Sequence, residues 1–114
     1  MMLAIKKLEM RFFRTETGNE PVRQWLLALP GGARKIIGGD LLKVQYNWPI
    51  GKPLVDGLGH GLWEVRSRLS DTIARVIFYV EEGEMVLLHG FIKKTQKTPS
   101  QEIELARKRK KQLT

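Results

Sequence analysis

Cations in the second half of the chain are the residues best suited to do chemistry. Arginine holds a phosphate through the fork of its planar guanidinium, whereas lysine meets a phosphate as a mobile point charge. Several such cations around one groove would stabilise the negative charge that grows on phosphorus during a reaction. The candidates for catalysis are Arg66, Arg75, Lys93 and Lys94, with His89 among them.

Proton transfer beside these cations has three candidate groups. An imidazole titrates near neutral pH, which makes His89 the first of them. Glu64 is the second, because in an extended strand it lies on the same face as Arg66. A lysine whose pKa is depressed by neighbouring positive charges is the third. His89 could equally be a hydrogen-bonded strand histidine, and Arg66 an exposed residue paired with Glu64.

The overall charge points independently to a polyanionic or acidic partner. The chain carries 20 lysines and arginines against 12 acidic residues, a formal net charge of +8. Such a bias favours nucleic acid, an anionic membrane surface or an acidic protein. The absence of cysteine excludes disulfides and thiolate metal sites, and the 2 histidines make no metal motif. We therefore expect neither a metal nor a cofactor.

Length and hydropathy predict one domain that works in the cytoplasm. A chain of 114 residues suits a single domain over residues 1–114. Residues 1–7 lack the apolar segment of a secretion signal. No stretch approaches the roughly 20 apolar residues of a membrane span.

Strand-like alternation in the second half predicts how the cations are positioned. Leu62–Arg68, residues 73–80 and residues 85–94 form the strands, and Glu82-Gly83 forms a tight turn. Strands joined by short turns pair antiparallel as a meander. The alternation places on one sheet face Arg66, Arg68, Arg75, His89 and Lys93. The opposite face of the third strand would carry Val86, Leu88 and Ile92.

The first half of the chain predicts a strand, two helices and a loop. An aromatic-rich strand covers residues 8–14. A helix then starts at Pro21, where the missing N–H of proline does no harm, and a second helix covers residues 33–48. Prolines and glycines punctuate residues 49–61, which predicts a loop.

The last helix, predicted over residues 99–112, has the clearest local signal. Thr98 can cap it, with Gln101 as the second partner of a capping box. Ile103 and Ala106 would face the sheet. The resulting order, β-α-α-β-β-β-α, is an α+β arrangement in which an antiparallel meander packs against two N-terminal helices and a C-terminal helix.

This element order, in a basic chain of this size, resembles the RelE superfamily of toxins. The closer resemblance is to its HigB-type, phage Gp49-like branch, and it is sharpest over residues 61–110. The segments that carry it are Gly61-Leu62-Trp63-Glu64-Val65-Arg66, then Ala74-Arg75-Val76-Ile77-Phe78-Tyr79, then Leu87-Leu88-His89-Gly90-Phe91-Ile92-Lys93-Lys94-Thr95-Gln96-Lys97-Thr98-Pro99.

The resemblance implies the toxin of a type II toxin–antitoxin pair. Such a protein would bind mRNA on the ribosome, cleave it by attack of the ribose 2′-OH without a metal, and so inhibit translation. Arg66, Arg75 and Lys93 or Lys94 match positions where RelE-type proteins carry basic active-site residues. Many members also use a Tyr, His or Glu near the last strand and helix; this chain has no tyrosine after Tyr79. A cognate helix-turn-helix antitoxin of the HigA type would bind it in an oligomeric complex.

Two other functions remain open at the level of the sequence. A non-catalytic nucleic-acid-binding module, such as a phage regulator, would use the same cations for phosphate contacts and Phe91 to stack on bases. A basic scaffold for an acidic protein is the third possibility. Under either RNA reading, the expected contacts to RNA outside catalysis are Arg68, Lys97, Arg107, Lys108 and Arg109.

Overall fold

One five-stranded sheet with helices on both faces forms the core of the structure, a computed structural model that describes residues 5–114. The elements are β1 (Glu9–Phe12), α1 (Pro21–Ala28), α2 (Gly31–Asn47), β2 (Val55–Gly59), β3 (Leu62–Arg68), β4 (Ile73–Glu81), β5 (Glu84–Lys93) and α3 (Ser100–Leu113). The predicted α+β class is confirmed. The expectation about a secretion signal falls partly on residues 1–4, which lie outside the described residues.

The strand order across the sheet is β1-β5-β4-β3-β2. Strands β3, β4 and β5 pair antiparallel, as the predicted meander requires, and β1 pairs parallel with β5. Glu82 and Gly83 form the tight turn between β4 and β5, with φ angles of 49° and 78°. Positive φ at both central residues matches the right-handed twist of the paired strands.

Strand β2 lies in a segment that the sequence predicts as loop. It pairs antiparallel with β3, with Val55 opposite Val65. Val55 is buried, so pairing and burial outweigh the weak strand propensity of the surrounding glycines and prolines. The predicted element order is therefore short by one strand. After β2 the chain turns back through Gly59, His60 and Gly61, all with positive φ.

The two faces of the sheet pack against different helices. Helices α1 and α2 cover one face, where Val22, Ile37 and Val44 meet the sheet. Helix α3 covers the other face through Ile103 and Ala106, as predicted. Burial of these apolar side chains is the main stabilising contribution to a domain of this size. Among residues 5–114, none of the helices combines the length and the hydropathy of a membrane-spanning segment.

A bulge in β5 changes which of its side chains share a face. Ile77 pairs with His89 but Phe78 pairs with Leu87, so Leu88 is the extra residue. Val86 and Leu88 consequently lie on the α3 side together with Phe91, whereas Ile92 packs on the α1–α2 side. The predicted grouping of Ile92 with Val86 and Leu88 is wrong, because alternation restarts at the bulge.

Gly90 allows the indole ring of Trp25 to lie directly against β5. A Cβ at Gly90 would overlap that ring, so we expect Gly90→Ala to destabilise the fold by about 1–3 kcal/mol. Gly39→Ala is the matched control: nothing approaches its Cβ, and alanine in a helix interior should stabilise by up to about 1 kcal/mol. Urea unfolding of both variants measures the difference. Equal stability of the two variants would contradict this packing.

Candidate functional site

Register places the predicted cations in rows across β3, β4 and β5. Arg66 lies opposite Arg75, and Arg68 lies opposite Ile73, which in turn lies opposite Lys93. Neighbouring strands are about 4.8 Å apart, so the Cα atoms of Arg68 and Lys93 are roughly 10 Å apart. The shared face predicted for these cations is confirmed. Two long side chains at that spacing can reach the same phosphodiester.

Arg75 is fully buried, at 0% exposure. Its Nη1 donates to the carbonyl of Lys93 at 3.3 Å, and its Nη2 donates to the carbonyls of Thr95 and Gln96. Burial lowers the pKa of Arg75, and the nearby carboxylate of Glu64 opposes that shift. Arg75 was predicted to act on substrate, but its guanidinium is enclosed and bonded to backbone. Its contribution to the site is to hold in place, through these hydrogen bonds, the backbone that follows β5.

That chain is the crossing segment, residues 94–99, which runs over β4 from the end of β5 to the start of α3. Arg75 binds it from below, and Arg66 donates from Nη2 to the carbonyl of Gln96 at 3.3 Å. At its far end the Thr98 hydroxyl donates to Glu64 Oε2 at 2.5 Å. Both ends of the crossing segment are thus tied to side chains of the central sheet.

Glu64 is buried at the centre of this network, at 2% exposure. Its Oε1 lies 3.7 Å from Arg75 Nε and 3.8 Å from Arg66 Nε. The Arg75 Nε–H makes no hydrogen bond, so that contact is purely electrostatic. A carboxylate enclosed between two guanidiniums and a hydroxyl is poorly placed to take a proton from a substrate. Glu64 was the second predicted base, and the structure gives it an anchoring position instead.

The cap at the N-terminus of α3 differs from the predicted one, because Thr98 contacts Glu64. The residue at the cap is Pro99, and no side chain makes a capping hydrogen bond there. The predicted capping by Thr98 with Gln101 is wrong: the helix begins one residue later, after Pro99, and the Thr98 hydroxyl is directed towards Glu64, to which it donates. A contact between residues distant in sequence therefore overrides the cap that the local sequence pattern predicts.

Arg66, Arg68 and Lys94 line two adjoining hollows beside the crossing segment. A hollow of about 360 Å³ lies between this end of β3, the loop before β2 and helix α2; Arg66, Arg68 and Gln96 line it together with Asp40 and Lys43 of α2. An adjoining hollow of about 210 Å³ shares Arg68 and Gln96 and adds Lys94 and Asp71. We call the joined hollows the basic groove. Arg68 and Lys94 are exposed and Arg66 is half-buried, so all three can meet an anion.

His89 and Lys93 belong to a second cluster, under the first turn of α3. His89 Nε2 lies 2.7 Å from Glu102 Oε1, and Lys93 Nζ lies 3.4 Å from Glu102 Oε2. Phe91 stacks on the His89 ring, with centroids 5.4 Å apart and an angle of 22° between planes. Burial raises the pKa of Glu102, but hydrogen bonds and charges from His89 and Lys93 outweigh it and hold that pKa below its ordinary value. Glu102 is therefore a carboxylate at neutral pH.

The cations predicted to bind RNA from the last helix differ in what they touch. Arg109 donates to the carbonyl of Leu88 at 2.7 Å and lies over the ring of Phe13. Burial lowers its pKa, and its guanidinium is used in packing. Arg107 pairs with Glu104 at 2.8 Å on the outer side of α3. Exposed charges remain on Lys97 and Lys108.

The described residues 5–114 contain no group of three or more histidine, aspartate or glutamate side chains arranged to hold a metal ion. Glu102 is the residue of the site that the sequence did not single out. It is separated from His89 by 13 positions and lies on a different element. Only the packing of α3 on β5 brings the two side chains together.

Arg75→Lys tests the anchoring of the crossing segment. Lysine keeps the charge but loses the fork that reaches several carbonyls, so we expect a loss of about 2–4 kcal/mol in the free energy of unfolding. Arg68→Lys is the matched control, and its exposed position predicts a change within about 0.5 kcal/mol. Denaturant unfolding measures both. If Arg75→Lys is as stable as the control, the anchoring role is wrong.

Comparison with known families identifies the family of the chain. The family model described as Phage derived protein Gp49-like (DUF891) matches residues 24–111, well over half of the chain. The matched range includes the basic groove, the crossing segment and the His89 cluster. No curated protein was found to match the chain. Membership in this family indicates a toxin of the toxin–antitoxin type and, with it, an antitoxin partner. The chain belongs to the Gp49-like family, which is the RelE/HigB-type toxin family.

Proposed function

We propose that this toxin is a ribosome-dependent endoribonuclease that cleaves mRNA through the ribose 2′-OH and thereby inhibits translation. The observation that carries the proposal is the basic groove, where Arg66, Arg68 and Lys94 converge beside a fixed backbone segment. Family membership supplies the toxin class, and the formal charge of +8 suits a polyanionic substrate.

The reaction needs positive charge more than it needs a cofactor. The attacking 2′-oxygen must be aligned with the scissile P–O bond, and the phosphorane that forms carries extra negative charge. Arg66 is held by Gln96 and so offers a pre-oriented guanidinium for the non-bridging oxygens. Arg68 and Lys94 are exposed to solvent. They are proposed to bind the scissile phosphate and to neutralise the leaving 5′-oxygen.

His89 is proposed to move the proton. Its ring lies on the same sheet face as Arg66, two residue pairs along β5 from the pair of Arg75 with Phe91. Lys93 connects the two parts of the site, because it shares a row with Arg68 and pairs with Glu102. Glu64 is less suited, since its carboxylate is buried and already accepts from Thr98.

The partners proposed are the ribosome, its mRNA and a HigA-type helix-turn-helix antitoxin in an oligomeric complex. Lys97 at the crossing segment and the outer side of α3, with Arg107 and Lys108, supply further positive charge for RNA phosphates. The proposed activity requires translating ribosomes, which places the protein in the cytoplasm.

A non-catalytic nucleic-acid-binding module is the alternative, and the burial of Phe91 argues against one contact expected of it. Phe91 was expected to stack on bases, but it is 7% exposed and stacks on His89 beneath α3. A binding module of this fold would therefore hold RNA through phosphate contacts at the basic groove. The experiment below distinguishes such a module from a nuclease.

Inducible expression in a bacterium, with mapping of mRNA 5′ ends, tests the proposal. The wild type should arrest growth and produce new cuts phased with codons. Arg68→Ala and Lys94→Ala should each lower cleavage roughly a hundredfold, because each removes a charge that stabilises the transition state. Lys35→Ala, an exposed cation of α2, is the matched control and should cut like the wild type.

Unchanged growth and mRNA, with the wild type shown to be folded and expressed, would contradict the nuclease proposal. Binding measurements then identify the alternative. A binding module would lose affinity for all RNAs in Arg68→Ala and Lys94→Ala, with a smaller salt slope in each.

A further inference from the structure

Glu102 contacts two candidate catalytic side chains at once. Its Oε1 meets His89 Nε2 at 2.7 Å and its Oε2 meets Lys93 Nζ at 3.4 Å. The side chains of His89 and Glu102 are 14% and 15% exposed. A carboxylate so shielded costs desolvation energy, which its two partners must offset. The contact is therefore of a different kind from the exposed ion pair of Glu104 with Arg107 on the same helix.

The surroundings of His89 leave one of its ring nitrogens for another partner. Nε2 is engaged by Glu102, and one ring face lies against Phe91. A neutral imidazole that donates its Nε2–H to a carboxylate presents Nδ1 as an unprotonated acceptor. A carboxylate that orients a histidine in this way selects the tautomer able to act as a base.

Two charged side chains lie near this pair, and one of them contacts it. Lys93 of β5 binds the second carboxylate oxygen of Glu102. Arg109 of α3 donates to the carbonyl of Leu88, next to His89. From β4, the residue opposite His89 is the apolar Ile77. Among these neighbours, Glu102 supplies the negative charge.

We propose that Glu102 is a positioning residue for RNA cleavage: it holds His89 in the tautomer with Nε2 protonated and Nδ1 free to accept the 2′-OH proton, and it holds the Lys93 ammonium beside the reacting phosphate. This inference rests on the proposed function. In the step itself, the 2′-oxygen forms a bond to phosphorus as its proton passes to Nδ1. The P–O bond to the 5′-oxygen breaks, that oxygen takes a proton from the Lys94 ammonium, and the upstream fragment is left with a 2′,3′-cyclic phosphate.

The first test reads the ring directly and does not depend on activity. ¹⁵N NMR of the imidazole should show the wild-type His89 as the Nε2–H tautomer at pH values where the ring is neutral. Glu102→Gln should give a mixture of tautomers, because an amide can either donate to Nε2 or accept from it and so no longer selects one tautomer. Glu84→Gln is the matched control, since Glu84 pairs with Arg11 at the opposite end of β5.

The second test measures the rate at which ribosome-bound mRNA is cleaved. Glu102→Gln should cut at least tenfold more slowly, and Glu84→Gln should match the wild type. An unchanged tautomer in Glu102→Gln would overturn the proposal, as would an altered tautomer with an unchanged cleavage rate.

The two tests separate failure of this inference from failure of the proposed function. If the wild type cuts no RNA while the tautomer of His89 still depends on Glu102, the contact is real but the nuclease proposal fails, and the role of Glu102 in cleavage fails with it. If the wild type cuts RNA while the tautomer is independent of Glu102, only the positioning role is lost.

Discussion

A guanidinium buried beneath a backbone segment needs acceptors around it, because water cannot supply them. Arg75 finds these acceptors in the carbonyls of Lys93, Thr95 and Gln96, with the Glu64 carboxylate alongside. Satisfying one buried charge thus fixes the path of the chain from β5 to α3. The position of Lys94 in the basic groove and the seating of α3 on the sheet both follow from that path.

Because of such internal contacts, the cations fall into two groups. The guanidiniums of Arg75 and Arg109 make internal hydrogen bonds. The side chains of Arg66, Arg68 and Lys94 line the basic groove, where they can contact an anion. Electrostatic stabilisation of a transition state depends on charges held in place before the reaction starts. A buried arginine that orders the groove is therefore as necessary to the proposed chemistry as an exposed one that would touch the phosphate.

The sequence predicts the shared face of Arg66, Arg75 and Lys93 because period-two alternation is a local property of strands. The prediction from sequence fails where contacts between residues distant in the chain determine the structure. The bulge at Leu88 resets the alternation in β5, and β2 forms only because β3 offers it a partner. The burial of Arg75 and the approach of Glu102 to His89 depend on how α3 and the crossing segment cover the sheet, which no local pattern reports.

The chemistry of the cut RNA ends tests the central claim, that this toxin cleaves RNA through the ribose 2′-OH, most directly. The purified protein would be added to ribosomes paused on a defined, labelled mRNA, and the new ends of the fragments identified. Attack by the 2′-OH predicts a downstream fragment that begins with a 5′-hydroxyl and an upstream fragment that ends in a 2′,3′-cyclic phosphate or its hydrolysis product. A downstream fragment that begins with a 5′-phosphate, or an intact mRNA, would contradict the mechanism.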